Sequence, residues 1–162
     1  MQTGKDDGRT MQRKRISVDQ AYLAIAMVLA QRSTCLDKQV GCVISNANNI
    51  IIATGYNGAP RGVEHCIDTG ICLAEKFNSK GKCPSAHAEQ NALLQCPVPE
   101  HIWTIYTTLS PCVNCIKIIN NTPCQRIVFA IEHKHQQAKS MWRGEWINLG
   151  EANGLQRDVP KD

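Results

Sequence analysis

Two short clusters constrain this chain more than any other stretch of it. The first reads Ser85-Ala86-His87-Ala88-Glu89-Gln90-Asn91 and the second Leu109-Ser110-Pro111-Cys112-Val113-Asn114-Cys115, so H-x-E is followed by P-C-x-x-C. Zn²⁺ prefers four tetrahedral N and S ligands, and a catalytic zinc takes only three from the protein, keeping one position open. His87, Cys112 and Cys115 make such a set. Ser110 is a good N-cap and Pro111 a good first helical residue, which predicts a helix to about residue 120 with both thiols in its first turn. A helix N-terminus favours the thiolate, the form that binds metal. Glu89, two residues from His87, is near the metal without being needed as a ligand, and a carboxylate there can take and return protons. A lone C-x-x-C could be a redox pair or half of a structural zinc site, and a lone H-x-E any helix surface. Together they point to a catalytic zinc with Glu89 as its acid and base.

The whole chain sets wide bounds. Its 162 residues fit one domain with room for a core, and 43% hydrophobic and 20% charged residues are ordinary for a soluble globular protein. The longest apolar run, residues 21–30, is too short to span a bilayer and reads as a buried helix. The polar start resembles no secretory signal, so the cytoplasm is the expected location and no membrane partner is expected. Nine cysteines is a high, odd count, and in a reducing compartment such thiols are more often metal ligands or catalytic groups than disulfides. The formal charge of +4 suits an anionic substrate but does not argue for nucleic acid.

Residues 1–15 are polar, end in Arg13-Lys14-Arg15 and read as a mobile leader; residues 16–150 form the expected domain and residues 151–162 a tail. Ser17 and Gln20 make a capping-box pattern ahead of a helix predicted over 18–32. From Gln39 the period becomes two: Val40, Cys42 and Ile44 alternate with Gly41 and Val43, and a second run at 50–53 follows an Asn-rich turn, predicting a hairpin. Residues 63–83 read as an irregular insertion carrying Cys66, Cys72 and Cys83. A short helix is expected over 86–95, ended by Pro97 and Pro99. Strands over 102–107 and 126–131 with a helix between them predict a right-handed parallel crossover. A last helix over 137–149 would put Trp142 and Trp146 on one face, and 155–159 could add an edge strand.

On these residues the chain resembles the deoxycytidylate (dCMP) deaminase family of the zinc-dependent cytidine deaminase superfamily. The resemblance rests on Gln39-Val40-Gly41-Cys42-Val43-Ile44, on Ala53-Thr54-Gly55-Tyr56-Asn57-Gly58-Ala59-Pro60-Arg61-Gly62 and on His87-Ala88-Glu89-Gln90-Asn91-Ala92, and extends over about residues 16–133. The loop 55–58 is its specific part, because the zinc clusters are shared with nucleoside, tRNA and riboflavin-pathway deaminases. It implies an α/β fold, a cytidine deaminase-like three-layer sandwich with a mixed five-stranded sheet and helices on both faces. It implies conversion of dCMP to dUMP and ammonia for thymidylate synthesis, and a homo-oligomer that is often a hexamer. In many members dCTP activates and dTTP inhibits. The resemblance gives zinc to His87, Cys112 and Cys115, proton shuttling to Glu89, a deoxyribose contact to Asn57 and base contacts to the backbone at Ala88 and Ser110. Asn57 precedes Gly, however, and Asn-Gly is also a common turn.

Cys35, Cys66, Cys72 and Cys83 would complete a second, closed zinc site, with His65 in reserve, and several similar family members carry a second zinc in the corresponding loops. Such a clip would order an insertion poor in apolar residues. The alternative is four unrelated reduced thiols. Cys42, Cys96 and Cys124 read as small core residues. Two departures from the family pattern bear on the substrate. Where some members follow the His87 helix with a basic residue for the phosphate, this chain has Cys96-Pro97-Val98-Pro99, leaving Arg61 or Lys134 as candidates. Arg61 reads equally as a solvated loop residue or an effector contact. Where a Tyr often closes over the base this chain has His133, which can stack and would also admit a 5-substituted dCMP. Competing readings are a deaminase of CMP or 5-methyl-dCMP and a zinc-ordered, non-catalytic nucleic-acid-binding module, against which Glu89 stands. A thiol oxidoreductase would leave His87 and Glu89 idle.

Overall fold

A strand alternates its side chains between two faces, and here both faces are apolar. Cys42, Ile44, Ile105, Ile127 and Phe129 belong to one buried cluster and Val43, Tyr106 and Val128 to another. A sheet buried on both sides needs a layer of helices on each. The computed structural model, which describes residues 15–79, 83–134 and 137–150, has that arrangement. In chain order it contains α1 (Val18–Ala30), β1 (Gly41–Ser45), β2 (Ile51–Tyr56), the single-turn helices α2 (Cys66–Thr69) and α3 (Leu73–Lys76), α4 (Ala88–Leu94), β3 (Thr104–Leu109), α5 (Val113–Ile119), β4 (Arg126–Ile131), α6 (Gln137–Met141) and β5 (Glu145–Asn148). The sheet order is β2-β1-β3-β4-β5, with β1 antiparallel to β2 and β3 and with β4 parallel to β3 and β5. The mixed five-stranded sheet with helices on both faces is therefore present.

The first helix starts where its cap predicts. The Ser17 hydroxyl accepts the Gln20 N–H at 3.1 Å, and the Gln20 carboxamide oxygen accepts the Ser17 N–H at 2.9 Å. In its first turn Asp19 accepts the Tyr106 hydroxyl at 3.0 Å and the Arg126 guanidinium at 2.8 and 3.2 Å. Arg126 Nε also reaches Glu145 at 3.2 Å, so one side chain fastens α1, β4 and β5 together. Burial and the Asp19 carboxylate push the Tyr106 phenol up to about 12, which keeps it a donor.

Two glycines set how closely the helices approach the sheet. A Cβ on Gly41 would lie 1.9 Å from the Ala26 carbonyl oxygen of α1, and one on Gly55 would lie 2.4 Å from the Ala88 oxygen and 2.5 Å from the Ala92 nitrogen of α4. Gly55→Ala is therefore expected to push α4 off β2, destabilising the fold by about 1–3 kcal/mol, and to lower activity because α4 carries site residues. Thermal denaturation checks this; an unchanged midpoint would contradict the close contact.

The C-terminal region departs from expectation. The helix predicted over 137–149 stops at Met141, and β5 runs beside β4 instead. Trp146 packs on Phe129, with ring centroids 5.1 Å apart, while Ile147 and Leu149 join the α1 side, which is the two-residue alternation of a strand. Gly144 permits the turn, since a Cβ there would lie 2.2 Å from the Gln125 oxygen. The possible strand at 155–159 and residues 1–14 of the expected leader lie outside the described residues. The insertion contains α2 and α3 and buries Cys66 and Leu73, and Lys76 pairs with Glu64 at 2.6 Å.

Candidate metal centre and cleft

The metal donors sit where two helices begin. His87 is the N-cap of α4, extended at φ −78° and ψ 157°, and its N–H donates to the Gln90 side-chain oxygen at 2.9 Å. Cys112 is the N-cap of α5, and Cys115 lies in the first turn. This corrects the predicted start at Ser110 and Pro111. The Ser110 hydroxyl is instead taken by the His133 N–H at 2.7 Å, and the Ser110 N–H donates to the Ile131 oxygen at 2.8 Å. Ser110 thus joins the ends of β3 and β4.

His87 Nδ1 lies 3.5 Å from Cys112 Sγ and 3.3 Å from Cys115 Sγ, and the two sulfurs are 3.8 Å apart. With Zn–S bonds of about 2.3 Å and a Zn–N bond of about 2.0 Å, a regular tetrahedron has edges of about 3.8 Å between sulfurs and about 3.5 Å from sulfur to nitrogen. The donor set therefore fits zinc, with the imidazole ligating through Nδ1 and three side chains filling three corners. Among the described residues this is the one group of three or more His, Cys, Asp and Glu whose ligand atoms lie within 4.8 Å of one another. The hydrogen bond from Cys115, then His87, holds the Cys112 thiol well below its ordinary range. The Cys115 thiol is pushed up by Cys112 and by burial. Zinc binding would require both thiols to give up their protons.

Glu89 is only 4% exposed, and burial pushes its carboxyl above the usual range. With His87, Ala88, Asn57, Ser110, Cys112 and His133 it lines a cleft of about 300 Å³. Cys115 lies buried in the first turn of α5. Arg61 and Lys134 are exposed and do not line the cleft. Asn57 lines it but is also a loop clamp, because its Oδ1 accepts the Val40 N–H and its Nδ2 donates to the Lys38 oxygen, each at 2.8 Å. One amide hydrogen and one lone pair remain to it.

The structure also places residues at the cleft that sequence reasoning passed over. Asp37 and Lys38 line its wall. Their sole sequence signal is their position between Cys35 and the first strand. Of the four thiols expected to hold a second zinc, Cys35, Cys72 and Cys83 line this cleft and Cys66 is buried at the start of α2. They do not form a compact group of the kind made by His87, Cys112 and Cys115. Cys83 Sγ lies 3.4 Å from the Ser85 hydroxyl. Cys42 and Cys124 are buried core residues as expected, and Cys96 is half-buried.

Residues 16–131 match the family described as the cytidine and deoxycytidylate deaminase zinc-binding region. The deoxycytidylate deaminase of Schizosaccharomyces pombe is 36% identical over 124 residues, which are 72% of this chain and 38% of that protein. That of Mycobacterium phage D29 is 36% identical over 122 residues, 70% of this chain and 94% of that protein. The match thus spans well under half the length of the yeast protein and nearly all of the phage one. The crystal structure of the dCMP deaminase of cyanophage S-TIM5 in complex with dCMP and dUMP superposes with a TM-score of 0.63 at 26% identity, covering 80% of this chain and 92% of that one. Among the described residues no helix is long and apolar enough to cross a membrane. With the family's zinc-binding region spanning most of the sequence and a three-donor centre built from its two clusters, the chain belongs to the cytidine and deoxycytidylate deaminase family.

Proposed function

We propose that this protein hydrolyses dCMP to dUMP and ammonia. The observation that carries the reading is a buried carboxylate beside a three-donor metal centre in one cleft. The choice of dCMP is supported by the similarity to proteins named for that activity.

Zinc held by His87, Cys112 and Cys115 would supply a Lewis acid able to make hydroxide available at neutral pH. Glu89 takes the proton from the attacking water and delivers it to ring N3 as the oxygen bonds to C4. The carboxylate then takes the proton of the new C4 hydroxyl and passes it to the exocyclic nitrogen, so that C4=O forms as the C4–N bond breaks and ammonia leaves. Burial pushes the Glu89 carboxyl above the usual carboxylate range, which is the direction that favours a group able to hold a proton and return it. The backbone at Ala88 and Ser110 would contact the base, His133 would lie beside it, and the unspent capacity of the Asn57 amide would meet the deoxyribose.

Ammonia release from dCMP, CMP, deoxycytidine and 5-methyl-dCMP tests the reading. The expected order puts dCMP first; a zinc-loaded protein inactive on all four would remove it.

A second zinc on Cys35, Cys66, Cys72 and Cys83 belongs to the same reading, and binding would have to draw these sulfurs together. Two zinc ions per chain support it, and one at full activity removes it. Assembly into a homo-oligomer is supported by the exposed apolar side chains of Leu94 and Ile118 along one groove, and regulation by dCTP and dTTP rests on the family resemblance alone. Light scattering with and without the two nucleotides reads both. The cytoplasm is the proposed location.

A further inference from the structure

We propose that the Lys38 ammonium holds the 5′-phosphate of the substrate at the mouth of the cleft. This rests on reading the substrate as a nucleoside monophosphate. A phosphate dianion needs a cation, and in the proposed reaction the metal end of the cleft is taken by the base, whose C4 meets the attacking water there. Among the described residues, Lys38 is the one Lys or Arg that lines the wall.

Its backbone is fixed although its side chain is exposed. The Lys38 carbonyl accepts Asn57 Nδ2 at 2.8 Å, the Val40 N–H is held by Asn57 Oδ1, and Gln39 Nε2 donates to the Cys35 oxygen at 3.0 Å. The stretch 35–40 is thereby stitched to the loop that presents Asn57. A sugar contacting Asn57 carries its 5′-phosphate one short arm away, within the reach of a lysine whose carbonyl is bonded to that amide. The exposed stem lets the ammonium meet the phosphate as a hydrated point charge. Asp37 on the same wall is a carboxylate that opposes an anion, and His133 is the remaining titratable group there outside the metal centre and the thiols. Asp37→Asn should accordingly favour the nucleotide, and Lys38→Ala should disfavour it.

Lys38→Ala keeps the carbonyl that Asn57 holds, so the loop clamp survives the substitution. The expected result is a tenfold to hundredfold fall, about the worth of one charged hydrogen bond, in the ratio of kcat/KM for dCMP to that for deoxycytidine. Lys38→Arg should keep most of that ratio because the charge is kept. Equilibrium binding of dUMP to the zinc-loaded protein should weaken by a similar factor, with deoxyuridine binding much less affected. An equal fall for both substrates, or dUMP binding that is absent or insensitive to Lys38→Ala, overturns the assignment. If the wild type failed to deaminate dCMP, the proposed reaction would fall. Lys38-dependent dUMP binding would still support the phosphate contact, and its absence would still overturn it.

Discussion

Glu89→Gln is expected to fold, bind zinc and bind nucleotide, yet lose turnover of dCMP by about 10³-fold or more. The amide matches the carboxyl in size, so the buried position is filled without a cavity or a new clash. What it cannot do is exchange a proton with water, N3 and the leaving amine. The thermal midpoint should hold or rise, because a carboxyl whose charged form is penalised by burial has been replaced by a neutral group. Zinc content measured beside kcat separates the roles. Turnover within tenfold of wild type would show that Glu89 is not the acid and base, and loss of the metal would make it a ligand.

Much of the fold was legible because its signals are local. The Ser17 and Gln20 pair announces α1, and the two-residue period through Val40, Cys42 and Ile44 predicts a strand before any partner is known. The misreadings came where tertiary partners decide. Trp142 and Trp146 are four apart, a spacing that fits one helical face and equally one face of a strand; β4 and Phe129 choose the strand. Ser110 looks like a cap in its own heptapeptide, yet its hydroxyl is claimed by His133, 23 residues away.

The site divides along the same line. His87, Glu89, Cys112 and Cys115 sit in two short clusters whose spacing already implies a shared atom between them, and the structure brings the donors together. Lys38 carries no motif, and what brings it to the cleft is an amide 19 residues further along the chain. Cysteine count suggested a second metal, but whether Cys35, Cys66, Cys72 and Cys83 converge depends on how separate segments pack. Composition carries no information on that.

Cys112→Ser is expected to cost about one zinc per chain and to abolish measurable turnover while leaving the fold in place. The residue is the N-cap of α5, in extended backbone, and Ser is among the best N-caps, so the helix start survives. The hydroxyl, however, stays protonated near neutrality and is a poor partner for zinc beside His87 and Cys115, and two remaining donors cannot hold a catalytic ion through dialysis. The thermal midpoint separates metal loss from misfolding. Added zinc should raise the wild-type midpoint, because an ion bound only by the folded chain stabilises it by mass action, and should raise the variant's less. A variant that keeps its full zinc content and its activity would show that Cys112 is not a ligand, and with it the three-donor centre and the chemistry assigned to Glu89 would fall.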